Sequence, residues 1–117
     1  MLNQTDALDR AFQALSDPNR RRIVERLARG PASVSELAAP LEMSLPAMHH
    51  HLRALEQSGL VRSEKTGRVR TCRIEPAAIR GLEKWVAMRR EHWEHRLDRL
   101  ETWLADPQNE NRAGRPK

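Results

Sequence analysis

The chain has 117 residues, room for one small domain whose core is limited, so pairing with a second copy is a natural way to bury more apolar surface. Lys and Arg number 21 against 16 Asp and Glu, a net charge of +5 that favours an anionic partner, either nucleic acid or an acidic membrane surface. No apolar run reaches the length of a membrane span, MLNQTDALDR lacks a signal-peptide core, and the lone Cys72 excludes an intrachain disulfide. These features lead us to expect a cytoplasmic protein without membrane contact.

From Thr5 to Leu15, the residues Leu8, Ala11, Phe12 and Leu15 share one face of a predicted amphipathic helix. Asp17-Pro18 reads as the cap and first residue of the next helix, whose apolar stripe is Ile23, Val24 and Leu27 and which Gly30-Pro31 ends. The consecutive Arg20, Arg21 and Arg22 fan around that helix, so one or two are candidates for a phosphate contact while the run as a whole is a solvated face.

The stretch from Ser33 to Leu60 organises the rest. Ser33 and Glu36 form a capping-box pattern, and Val34, Leu37, Ala38 and Leu41 follow at helical spacing. Pro40 predicts an end near Ala39 and a turn from Pro40 to Met43. Ser44 then caps a second helix with Pro46 in its first turn, Met48, Leu52 and Leu55 on its inner face, and Gly59 as its stop. Two short helices joined this way make a helix-turn-helix. The outer surface of the second helix starts with Leu45, Pro46, His49 and His50, the positions that reach base edges when such a helix enters a major groove.

Two β-type runs follow, Leu60 to Glu64 and Val69 to Ile74, joined around Lys65-Thr66-Gly67-Arg68 as a hairpin. Arg62, Lys65, Arg68, Arg70 and Arg73 face a single acid there, Glu64. A basic hairpin directly after a helix-turn-helix reads as a wing able to reach phosphates or a minor groove; the rival is a solvated ribbon whose charges only block edge pairing. Charge location supports the first. Residues 44–73 carry six Lys/Arg and two Glu, a net +4, whereas residues 1–17 carry one Arg and three Asp, a net −2.

A long helix is predicted from Pro76 to Leu104, with Ile79, Leu82, Val86, Trp93, Leu97, Leu100 and Leu104 at three-and-four spacing, interrupted near Arg89 and Arg90. A stripe this long needs cover, and the chain's own first helix and the same pair of helices in a second subunit are the obvious candidates. Helical spacing favours packing over a cofactor box for Trp85, Trp93 and Trp103. Residues 105–117 are polar and aperiodic, the pattern of a disordered basic tail.

With these blocks in place, the chain resembles the ArsR/SmtB-type winged-helix repressors of bacteria and archaea. The resemblance lies in ALSDPNRRRIVERLARGPASVSELA (Ala14 to Ala38), MSLPAMHHHLRALEQSGLV (Met43 to Val61) and GRVRTCRI (Gly67 to Ile74), and WEHRLDRLETWL (Trp93 to Leu104) is similar to a subgroup without metal-binding cysteines. It implies a homodimeric DNA-binding repressor. It also implies that Ser33 and Ser35 stand where soft-metal sensors carry cysteines, and serine is a poor ligand for such metals.

Metal, redox and catalytic alternatives are thin. His49, His50 and His51 are adjacent on one helix and diverge by about 100° each. His92 and His95 share a face of the long helix and are the only metal candidates, but the Asp-x-His and later His-x-x-Glu pattern of metal-sensing relatives is missing. Arg70 and Arg73 near Cys72 could lower its thiol pKa, although strand alternation fits a plain half-buried cysteine equally well. No phosphate loop, nucleophile elbow or zinc-protease motif occurs, so no enzyme, catalytic residue or cofactor is expected.

The reading is thus mainly α with a small β-hairpin: a winged helix-turn-helix domain over residues 1–104, dimeric through its first and last helices, ahead of the tail. Leu45, Pro46, His49 and His50 are expected in the major groove of a double-stranded operator. Ser44, Arg53, Arg62, Lys65, Arg68 and Arg70 are expected on the backbone or in the minor groove, and His51, bordering the buried face, in packing or at a phosphate. A metal-responsive repressor and a winged-helix protein-interaction module are the rivals. No pattern identifies an inducing ligand.

Overall fold

The structure, a computed structural model, describes residues 4–108. The elements are α1 (Gln4–Leu15), α2 (Pro18–Leu27), β1 (Ala32–Ser33), α3 (Val34–Ala38), α4 (Leu45–Gln57), β2 (Val61–Thr66), β3 (Val69–Ile74) and α5 (Pro76–Ala105). The predicted helices and hairpin are all present, and the three strands form one antiparallel sheet in the order β1-β3-β2.

The joint between α1 and α2 is built from side chains. Asp17 caps α2 by accepting from the backbone N–H groups of Asn19 at 2.7 Å and Arg20 at 3.2 Å. The arginine run closes α1: Arg20 Nε donates to the Ala14 carbonyl at 2.7 Å and Arg21 Nη1 to the Leu15 carbonyl at 2.6 Å. Cations on the last carbonyls of a helix satisfy orphan acceptors and meet the negative end of its dipole. This gives Arg20 and Arg21 an intrachain role that consecutive spacing alone does not reveal.

The capping box of α3 forms as predicted, with Glu36 N–H donating to Ser33 Oγ at 3.1 Å and Ser33 N–H donating to Glu36 Oε1 at 3.0 Å. Strand β1 is an addition to the sequence reading. Ala32 pairs with Cys72 and Ser33 with Thr71, so Ser33 ends a strand and caps a helix at once. Both helices of the helix-turn-helix end in the same way. Met43 N–H bonds the Ala38 carbonyl and Glu42 N–H that of Ala39; Leu60 N–H bonds the Leu55 carbonyl and Gly59 N–H that of Glu56. Each is a Schellman closure, which places one residue in the left-handed region. At the end of α4 that residue is Gly59, φ 85°; at the end of α3 it is Glu42, φ 55°.

The core of the first compact unit, residues up to Leu82, takes side chains from every element of that unit. Ile23, Leu37, Met48, Leu55, Leu60 and Cys72 are fully buried. Ala78, Ile79 and Leu82 from the first turns of α5 pack against it. The second unit starts at Glu83, so the chain divides within the span to residue 104 that the sequence reading treats as one domain. None of the described residues of α5 is buried. Ala105 is the last residue of α5 and Asp106 accepts a bond from Gln108 N–H; residues 109–117 of the predicted tail lie outside the described residues.

Candidate nucleic-acid interface

Helix α4 divides its residues cleanly. Met48, Leu52 and Leu55 are buried, while Leu45, Pro46, His49, His50 and Arg53 are exposed, Leu45 by 50%. Ser44 accepts from Ala47 N–H at 3.2 Å, so its hydroxyl is the helix cap and leaves its backbone at the exposed N-terminal end. That end also carries the positive pole of the helix dipole, a favourable place for a phosphate. The outward face of the first two turns thus has no packing duty.

Strand register sorts the wing charges onto two faces. Val61 pairs with Ile74, Ser63 with Cys72 and Lys65 with Arg70, and these six share the face whose inner members, Val61 and Cys72, are buried. Arg62 pairs with Arg73, Glu64 with Thr71 and Thr66 with Val69 on the reverse face. Gly67, φ 63°, and Arg68 make the two-residue turn. Like charges directly opposite each other are destabilising unless something offsets them. On the reverse face carboxylates do so: Arg62 Nε lies 3.4 Å from Glu75 and Arg73 Nη2 lies 3.3 Å from Glu64. Among the described residues, Arg53, Lys65, Arg68 and Arg70 enter no ion pair.

Arg70 is the link between wing and helix. Its Nη1 donates to Ser63 Oγ at 2.8 Å, and the Ser63 hydroxyl in turn bonds Glu56 on α4. Together with His49, Leu52, Arg53 and Glu56, Arg70 lines a recess of about 250 Å³. The structure therefore brings His49, Arg53 and Arg70 together, leaves Lys65 and Arg68 at the tip of the wing, and places Arg62 apart on the reverse face. Ser63 is a positioning residue the sequence reading does not single out. Alternation along the two strands is the signal that puts it diagonal to Arg70 on one face.

The remaining candidates fall elsewhere. His51 is half-buried, its ring set edge-on to His50 at 5.5 Å, and its buried Nδ1 makes no hydrogen bond among the described residues, which fits packing better than base contact. Cys72 is fully buried rather than half-buried, and burial pushes its thiol pKa above the ordinary value; Glu56 adds to the rise and Arg70 opposes it. The thiol is thus the reverse of an activated one. His92 and His95 do share a face, with Met88 and Glu91, but no group of three or more His, Cys, Asp or Glu side chains able to hold a metal occurs among the described residues.

Comparison with known proteins agrees with this geometry. Residues 15–64 match a family model described as a helix-turn-helix domain. An HTH-type transcriptional regulator of Mycobacterium tuberculosis is 46% identical over 74 residues, covering 63% of this chain and 69% of the relative. The crystal structure of an ArsR family transcriptional regulator is 49% identical, with a TM-score of 0.71 over 80% of this chain and 97% of the other. A homodimeric winged helix-turn-helix DNA-binding domain of Mycobacterium bovis, solved by NMR, is 29% identical with a TM-score of 0.63 over 78% of this chain and 85% of that one.

Proposed function

This chain belongs to the ArsR family of winged helix-turn-helix transcriptional regulators, DNA-binding proteins rather than enzymes, and from that premise we propose that it is a homodimeric repressor of a two-fold symmetric operator near its own gene. One observation carries the reading: the exposed start of α4 and the unpaired wing cations form a single basic surface, joined where His49, Arg53 and Arg70 line one recess. Leu45, Pro46, His49 and His50 enter the major groove. The histidines offer donors or acceptors to base edges, and Leu45 offers apolar contact, as with a thymine methyl. Ser44, Arg53, Lys65, Arg68 and Arg70 hold phosphates or the minor groove. Arg62, already paired with Glu75, adds a smaller share. Occupancy of the operator excludes polymerase, and the work is done where the DNA is, in the cytoplasm.

The dimer is built on α1 and α5. Its support is the apolar surface of α5, where Val86, Trp93, Leu97, Leu100 and Leu104 are all exposed, and the homodimeric Mycobacterium bovis relative. The test is a gel shift on the DNA upstream of the gene, over a range of salt, against unrelated DNA. Wild type should prefer the upstream fragment, and a His49→Ala, His50→Ala double variant should lose ~1–3 kcal/mol of that preference per base contact removed. Equal binding of both fragments by wild type, with no change in the double variant, contradicts α4 as the reader.

A further inference from the structure

We propose that Glu56, which meets no base or phosphate in the proposed complex, is a positioning residue for the wing: through Ser63 it holds the Arg70 guanidinium against α4, so that helix and wing grip the duplex as one unit. The inference rests on Arg70 as a contact to the DNA backbone and adds the residue that governs that contact.

The hydrogen-bond relay has a direction. Arg70 Nη1 donates to Ser63 Oγ at 2.8 Å, and the Ser63 hydroxyl donates to Glu56 Oε1. A serine hydroxyl has a single proton to give. Giving it to a carboxylate turns the oxygen's lone pairs toward the arginine and makes them better acceptors. The three residues come from β3, β2 and α4, so the relay spans the joint between wing and recognition helix. Glu56 and Ser63 are half-buried, and the Glu56 carboxylate is close enough to the buried Cys72 to add to the rise of its thiol pKa. On α4, His49, Arg53 and Glu56 follow at steps of four and three, and all of them line the recess with Arg70. One helix face thus leads from the base-reading turn to the root of the wing.

Charge explains why an acid stands on a surface that otherwise suits phosphates. Lys65 lies directly opposite Arg70 in the strand register, a like-charge pair that is destabilising unless something offsets it. On the reverse face Glu64 and Glu75 do so by ion pairs, but among the described residues neither Lys65 nor Arg70 enters one. Of the two acids in residues 44–73, Glu64 belongs to the reverse face, which leaves Glu56 for this side. Among the described residues its carboxylate reaches Arg70 only through Ser63, so the arginine is held toward α4 without being neutralised in a direct pair. Ser63 engages Nη1, and the other donors of the planar fork remain available to a phosphate. A guanidinium already held in place loses less rotamer freedom on binding than one such as Arg68, which enters no ion pair among the described residues.

Affinity for the upstream fragment and for unrelated DNA, measured on full-length variants with and without Arg70→Ala, tests this. Ser63→Ala breaks the relay and leaves every charge in place. It should weaken binding to both DNAs roughly three- to tenfold, the net worth of one hydrogen bond. Glu56→Gln keeps an acceptor for Ser63 and Glu56→Ala removes it, so the alanine variant should bind roughly three- to tenfold more weakly than the glutamine variant. In the Arg70→Ala background both differences should shrink below about twofold, because nothing is left to position. Differences that persist undiminished there overturn the proposal, since Glu56 and Ser63 would then act on the wing's fold in general. Nitrogen-15 relaxation of the Arg70 Nε–H group in the DNA-free protein gives a check without DNA. It should show a more ordered side chain than Arg68, with the order lost in Ser63→Ala. Arg70 as mobile as Arg68 in wild type overturns the relay itself. An ordered Arg70 whose replacement by alanine leaves DNA binding unchanged overturns instead the backbone contact of Arg70, and with it the role given to Glu56.

Discussion

Single side chains divide here between those that hold the fold and those left over for a ligand, and hydrogen-bond partners make the division. Arg20 and Arg21 are spent on the carbonyls of α1, while Arg53, Lys65, Arg68 and Arg70 meet no carboxylate among the described residues. Arg70→Ala should therefore weaken binding to operator and unrelated DNA alike and reduce the dependence of log K on log salt by about one unit, as for one lost phosphate contact. A loss confined to operator DNA with the salt slope unchanged would make Arg70 a base reader instead. Asp17 supplies a pH signature. The backbone N–H of Arg20 holds its carboxyl below the ordinary value of 3.8; burial opposes this, and the backbone N–H of Asn19 and the charge of Arg20 add to the lowering. A carboxyl depressed in the folded state stabilises it at pH above the unfolded value and loses that stabilisation as pH falls through the folded value. Asp17→Asn keeps a capping oxygen without the charge, so its melting temperature should fall less steeply than that of wild type around and below pH 3.8. Parallel acid limbs for the two proteins would remove Asp17 from this account. The sequence reveals Asp17 and Ser33 as caps because capping depends on residue type and spacing alone. It does not reveal the Arg20–Ala14 bond, the Ser63–Arg70 link or the full burial of Cys72, which depend on where two elements meet.

Elements were legible wherever a period or a breaker was present. Met48, Leu52 and Leu55 mark the inner face of α4, Gly59 its end, and Gly67 the turn of the wing. Strand β1 escapes such reading because two residues have no period; it exists only because β3 offers Thr71 and Cys72 as partners. The wing is legible as a basic hairpin, but its two faces become distinct only once register pairs Lys65 with Arg70 and Arg62 with Arg73. The joint between α3 and α4 offers a quantitative test. Glu42 occupies the left-handed position that Gly59 occupies after α4. A non-glycine residue there costs ~1–2 kcal/mol, against ~0.5–1 kcal/mol for the greater chain entropy a glycine loses on folding. Glu42→Gly should thus stabilise the protein, by up to about 1.5 kcal/mol. Urea denaturation with an unchanged m-value and a raised midpoint would bear this out, whereas a lowered midpoint would mean that Glu42 makes up for its backbone strain elsewhere.

At the scale of the whole molecule, net positive charge and the run of large exposed apolar residues concentrate on different elements. The net +4 of residues 44–73 sits on α4 and the wing, while the large exposed apolar residues beyond Leu82 lie along α5. In the proposed reading the first surface meets DNA and the second meets another copy of the chain, so that a two-fold dimer presents the first surface twice. The most direct measurement is selection of bound sequences by wild-type protein from a pool of randomised double-stranded DNA at physiological salt. The account predicts enrichment of two inverted half-sites whose centres lie about one helical turn, ~10 bp, apart or a multiple of it. Recovery of a pool no different from the input, or of a single half-site without its inverted mate, would contradict it.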